Sequence, residues 1–90
     1  MAEPSYRQNP RTAGRVIGGQ AFVVTPDDNK LHSLNATGTH IWAVAEAACT
    51  LTEVAAALSR RFKIDGDTAR ADAAHFCDEL CRRGILELVP

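Results

Sequence analysis

The sequence predicts an α+β domain in which a three-stranded antiparallel sheet precedes a three-helix bundle. Three observations carry this reading. Residues 12–34 are rich in β-formers and turn signals, helical periodicity begins at Asn35 and continues to Gly84, and 90 residues leave room for one core. Strands and helices that are segregated along a chain, not alternating, mark the α+β class.

Taken in order, residues 1–11 hold Pro4, Pro10 and mainly polar side chains, and read as a flexible N-terminal arm before a domain spanning 12–90. Residues 12–17 suit a strand. Gly18-Gly19 supplies the positive-φ pair of a tight hairpin, and Gln-Ala-Phe-Val-Val-Thr at 20–25 is a second strand. Pro26-Asp27-Asp28-Asn29 is a turn cluster, after which Lys30, Leu31, His32, Ser33 and Leu34 run back as a third strand.

Asn35 can cap a helix that continues to about Ala47, with Ile41, Trp42, Ala45 and Ala48 on one face. No glycine separates this helix from Cys49. Thr50-Leu51-Thr52-Glu53 matches a capping box, and Val54, Ala55, Leu58 and Phe62 follow at helical spacing to an end near Lys63. Ile64-Asp65-Gly66 reads as a turn. Asp67 is the expected cap of a third helix, whose stripe Ala69, Ala73, Phe76, Cys77 and Leu80 turns inward until Gly84, and residues 85–89 form an apolar tail.

Composition excludes several classes of function. Ten basic and eleven acidic residues leave a net charge of −1, unlike proteins built around a polyanion. No stretch reaches the roughly 18 apolar residues of a membrane span, and the first residues lack a basic-then-apolar signal, so a cytoplasmic protein is expected. Fifteen residues are alanine, which leaves few large side chains for the interior.

The chemistry-bearing residues do not assemble into a catalytic set. Cys49, Cys77 and Cys81 have no paired Cys-x2-Cys or His-x3-His spacing, so packing is preferred over a metal site, and no metal or cofactor is expected. His32, His40 and His75 are scattered without a nucleophile partner. Gly18 and Gly19 belong to no phosphate-cradling motif. Arg60, Arg61, Arg82 and Arg83 sit near helix C-termini, where positive charge meets the helix dipole favourably.

One ordered series of residues is more specific. An N-terminal hairpin is followed by Leu34-Asn35-Ala36-Thr37-Gly38, Ile41-Trp42, Leu51-Thr52-Glu53-Val54, Phe62, Asp65 and Leu80-Cys81-Arg82-Arg83-Gly84-Ile85-Leu86. Over residues 12–88 this resembles the PqqD-like family, the winged-helix-type domains also called RiPP recognition elements. The resemblance implies a non-catalytic, peptide-binding adaptor. Such proteins hold the leader segment of a ribosomally made precursor peptide and present it to a modifying enzyme, often of the radical SAM type.

In that mode the leader joins the edge of the third strand, in a groove closed by the third helix. The resemblance therefore places peptide contacts on Lys30, Leu31, His32, Ser33 and Leu34, with Arg70, Ala74, Cys77, Asp78 and Cys81 on the helical wall. An open strand edge also permits self-pairing into a homodimer. The rival reading is a winged-helix nucleic-acid-binding or regulatory domain. It requires phosphate contacts from the third helix, where Asp67, Asp72, Asp78 and Glu79 outnumber Arg70, Arg82 and Arg83.

Overall fold

The computed structural model describes residues 3–90. The chain runs β1 (Ser5–Gln8), β2 (Ala13–Ile17), β3 (Gln20–Thr25), β4 (Lys30–Ser33), α1 (Ala36–Val44), β5 (Cys49–Thr50), α2 (Leu51–Phe62), α3 (Gly66–Arg82) and β6 (Leu86–Leu88). The expected meander is present as one antiparallel sheet in the order β2-β3-β4. A two-residue loop joins Ile17 to its partner Gln20, with Gly18 at φ 60° and Gly19 at φ 79°, which is the paired left-handed backbone that a twisted hairpin needs.

Alternation along β3 sets the two faces of this sheet. Ala21, Val23 and Thr25 are buried, while Val24 is exposed and Phe22 half-buried. The inner face meets α1, where Ile41 is fully buried, as is Ala45 just past the helix end. Trp42 lies against β2 so closely that a Cβ on Gly14 would approach its Cζ2 to 2.7 Å. Glycine at 14 is thus a matter of room for the indole.

The three helices start on side-chain caps. Asn35 Oδ1 accepts from the Gly38 N–H at 2.8 Å. Thr50 and Glu53 form the reciprocal capping box, with Thr50 N–H to Glu53 Oε1 at 2.8 Å and Glu53 N–H to Thr50 Oγ1 at 3.1 Å. At α3 the cap is Asp65, not Asp67, because Asp65 Oδ1 takes the Thr68 N–H at 2.7 Å and the helix begins one residue later, at Gly66. The Thr68 hydrogen bonds hold the Asp65 carboxyl below its usual range. Helix α1 ends at Val44, earlier than the expected Ala47, because residues 45–48 turn out of the helix and Cys49 enters a strand. Ala48 is therefore exposed and off the helical face.

The segment expected to be an arm carries the largest difference. Residues 1 and 2 lie outside the described residues, but Ser5–Gln8 is the central strand of a second sheet, in the order β5-β1-β6. Tyr6 pairs with Cys49 on one side and Leu88 on the other, and is buried. The expected apolar tail is likewise strand β6, paired through Leu86, Glu87 and Leu88.

Residues 4–9 also bond to several element ends. Gln8 N–H donates to the Ala45 carbonyl at 2.9 Å, Leu51 N–H to the Pro4 carbonyl at 3.0 Å, and Asn9 N–H to the Ile85 carbonyl at 3.0 Å. Through Tyr6 and these hydrogen bonds, residues 4–9 are tied to the core. Replacing Tyr6 with Ala is expected to cost about 3 kcal/mol, the usual range for removing a buried aromatic. Deleting residues 1–11 is expected to abolish cooperative thermal unfolding by circular dichroism; an unchanged melting curve for the deletion would restore the arm.

Candidate functional site

Strand β4 ends its sheet, and among the described residues no strand covers its outer side. Which of its backbone groups are free follows from the register. Leu34 N–H donates to the Ala21 carbonyl at 2.9 Å, and this pair continues the register Ser33↔Phe22, His32↔Val23, Leu31↔Val24. Opposed residues of an antiparallel ladder alternate between bonded and non-bonded pairs. Leu34, His32 and Lys30 therefore turn their N–H and C=O toward β3, whereas Leu31 and Ser33 turn theirs to the open edge. That edge is a template for another strand.

A cleft of about 170 Å³ opens beside the Ser33 end of this edge, lined by Ser33, Leu34, Asn35 and Gly38 on one side and Phe76, Glu79, Leu80 and Arg83 on the other. Phe76 is half-buried and Leu80 buried, which gives the cleft an apolar floor. Arg83 donates to Glu79 Oε1 at 3.1 Å at its rim, and both side chains remain partly open to solvent. On the inner face of β4, His32 Nε2 stands 2.9 Å from Thr25 Oγ1, whose hydroxyl also bonds Asp28. One hydroxyl proton serves one acceptor, so with the carboxylate taking it His32 donates through Nε2–H. The Thr25 bond, with Lys30 nearby, holds the Asp28 carboxyl below its usual range.

The residues expected on the helical wall divide. None of Arg70, Ala74, Cys77, Asp78 and Cys81 lines this cleft. Cys77 is completely buried. Asp78 is ion-paired with Arg82, and Arg70 Nη1 donates to Thr52 Oγ1 at 3.2 Å, on the α2 side. Cys77, Cys81 and Asp78 lie near Tyr6, which β1 places over that flank of α3; burial first, then these neighbours, raises the tyrosine pKa. Physically, Tyr6 and the second sheet cover the Cys77 and Cys81 part of that flank while Arg70, Ala74 and Asp78 stay exposed, and the cleft forms along the opposite flank. Phe76, Glu79, Leu80 and Arg83 were missed as lining residues. Their i, i+3, i+4, i+7 spacing marks one stripe, but spacing alone does not say which stripe faces β4.

Burial works against ionisation of the three thiols. Burial pushes Cys77 from 9.0 to about 12, and raises Cys49 and Cys81 as well. The Cys77 thiol stays protonated below pH 9, and it stabilises the fold only while it does so. As pH rises past 9 the unfolded thiol ionises first, so that contribution declines toward 12. A thiol reagent at neutral pH is expected to label the half-buried Cys81 first and Cys77 only at the rate of unfolding; rapid native-state labelling of Cys77 would contradict its placement.

No curated protein matches the chain by sequence. Two solved structures share the fold. "TbiB1 in Complex with the TbiA(beta) Leader Peptide" superposes with a TM-score of 0.82 at 20% identity, covering 90% of this chain and 94% of that one. The solution NMR structure of the PqqD truncation of Methylobacterium extorquens PqqCD, described as a functional, stand-alone RiPP recognition element, gives 0.72 at 15% identity, covering 92% and 88%. The sequence profile of "Coenzyme PQQ synthesis protein D (PqqD)" matches residues 20–86, which include the hairpin's second strand, the open edge and all three helices. The chain belongs to the PqqD family.

Proposed function

We propose that the protein is a non-catalytic adaptor that binds the leader segment of a ribosomally synthesised precursor peptide by β-strand addition to β4 and presents it to a modifying enzyme of the radical SAM class. The observation that carries the reading is the open edge itself, with Leu31 and Ser33 turning their backbone groups outward beside the Leu34–Phe76–Leu80 cleft. Main-chain bonds at the edge supply affinity, and alternate side chains of the added strand supply selectivity. Family membership and the leader-bound fold neighbour support it. No helix among the described residues is long and apolar enough to cross a membrane, and a cytoplasmic site of action suits the proposed peptide partner.

A nucleic-acid role is not favoured. On α3, Arg82 and Arg83 are already paired with Asp78 and Glu79. The same open edge offers a second copy of the chain a place to pair, so a homodimer that dissociates on peptide addition belongs to the proposal.

Amide-resolved NMR titration with the short peptides encoded beside its gene, and with a random DNA duplex, tests the reading. Shifts are expected at Leu31, Ser33 and the Phe76–Arg83 flank, from peptide alone; shifts from DNA alone would overturn it. Leu31→Pro and Ser33→Pro each remove one outward N–H while leaving the β3 ladder intact, and are expected to weaken binding at least about tenfold, a loss of about 1.4 kcal/mol, with an unchanged far-UV spectrum. His32→Pro breaks the ladder instead and is expected to destabilise the fold. Full affinity in both outward variants would remove strand addition.

A further inference from the structure

Two faces meet at the open edge, and both are apolar there. Beneath β4 lies the cleft of Leu34, Phe76 and Leu80. On the outer face, the register aligns Ala13, Val24 and Leu31 in one row across β2, β3 and β4, and the row ends at the edge. Leu31 is 67% exposed and Val24 41% exposed, and together with Ala13 and Phe22 they line a shallow hollow on this face. The neighbouring outer row is mixed, with Arg15, Phe22 and Ser33. Large apolar side chains left open in a row that terminates at an unpaired backbone lack only the residue that would continue the row.

Resting on the strand-addition reading, we propose that the outer row is a second specificity subsite, with Leu31 as its determining residue, so that the leader is read on both faces of the sheet. The meander is antiparallel throughout, and an added antiparallel strand extends it in kind. The leader residue opposite Leu34 then points into the cleft. The next two oppose Ser33 and His32, and the third along opposes Leu31 and faces outward with it. Because the two anchors lie on opposite faces, their separation is odd. The recognised segment carries a bulky apolar residue, two variable residues, then a second apolar residue toward its C-terminus. The cleft, at about 170 Å³, suits one large side chain. The open row favours a β-branched or aromatic residue, the types that gain most from cross-strand neighbours.

Selection of a displayed library of random twelve-residue peptides on the intact protein tests this, with enriched peptides then titrated by NMR. Enrichment of apolar pairs separated by two variable positions is expected. In Leu31→Thr, an exposed and strand-compatible substitution, the preference at the second position is expected to disappear and the affinity of a selected peptide to fall about tenfold, while the preference at the first position persists. Enrichment at an even spacing, a single anchor, or an unchanged preference in Leu31→Thr would overturn the second subsite and leave strand addition standing. No enriched peptide, or shifts away from Leu31 and Ser33, would remove strand addition and the subsite with it.

Discussion

The fold depends on the hydrogen bonds made by residues 4–9. Through Pro4, Gln8 and Asn9 this segment bonds the residue after α1, the first residue of α2 and the residue that follows the turn after α3, while Tyr6 fills the space between β5 and β6. Side-chain bonds from Gln8 to the Trp42 carbonyl at 2.7 Å and from Asn9 to the Gly84 carbonyl at 3.0 Å reinforce the same ends. Each orphan backbone group at a helix terminus needs a partner, and here one short strand supplies several. With so many alanines, the helices have few large side chains to lock them together, and this backbone tie fixes the position of the α3 C-terminus relative to α1. Since the cleft lies between that terminus and the start of α1, its width is set by a strand on the other side of the helix.

What the sequence makes legible is what local chemistry determines. The Gly18-Gly19 hairpin, the Asn35 cap and the Thr50–Glu53 capping box each need only a few consecutive residues, and each stands where it is read. The open edge was legible too, because the third strand of a meander has one unpaired side. Strand β1 was not. Its four residues, Ser-Tyr-Arg-Gln between two prolines, contain one apolar side chain, and its partners are strands of two and three residues from distant parts of the chain. Nothing local distinguishes such a strand from an arm; only the tertiary pairing does.

The difference between the expected helical wall and the lining of the cleft follows from the same omission. Around α3 the buried stripe is Ala69, Ala73, Cys77 and Leu80. It has two flanks, one near Ala74, Asp78 and Cys81 and the other near Phe76, Glu79 and Arg83. A period of 3.6 residues identifies the stripe and leaves the flanks equivalent. With β1 assigned to an arm, the first flank reads as uncovered. With β1 and β6 in place, Tyr6 and the second sheet take the Cys77 and Cys81 part of that flank, Ala74 and Asp78 face solvent, and the cleft opens along the other flank. Reading one strand as an arm thus shifts the whole set of lining residues by two positions, about 200° around the helix.

Exposure on the sheet's outer face bears on the same division of labour. A domain this small has every reason to bury large side chains, yet Leu31, Val24 and Ile17 remain 67%, 41% and 57% exposed while alanines occupy much of the interior. Single exposed apolar residues need no explanation, but Leu31 and Val24 belong to one cross-strand row that ends beside unpaired backbone groups. An edge whose neighbouring face were polar would bind an added strand mainly through its main chain, with selectivity from the cleft alone. The apolar row changes that balance, because the side chain beside Leu31 gains burial only when the strand's register is right. A one-residue slip turns that side chain to the opposite face and loses the contact. Register, which backbone bonding leaves ambiguous, would be fixed for an added strand by two anchors on opposite faces, one in the cleft and one beside Leu31.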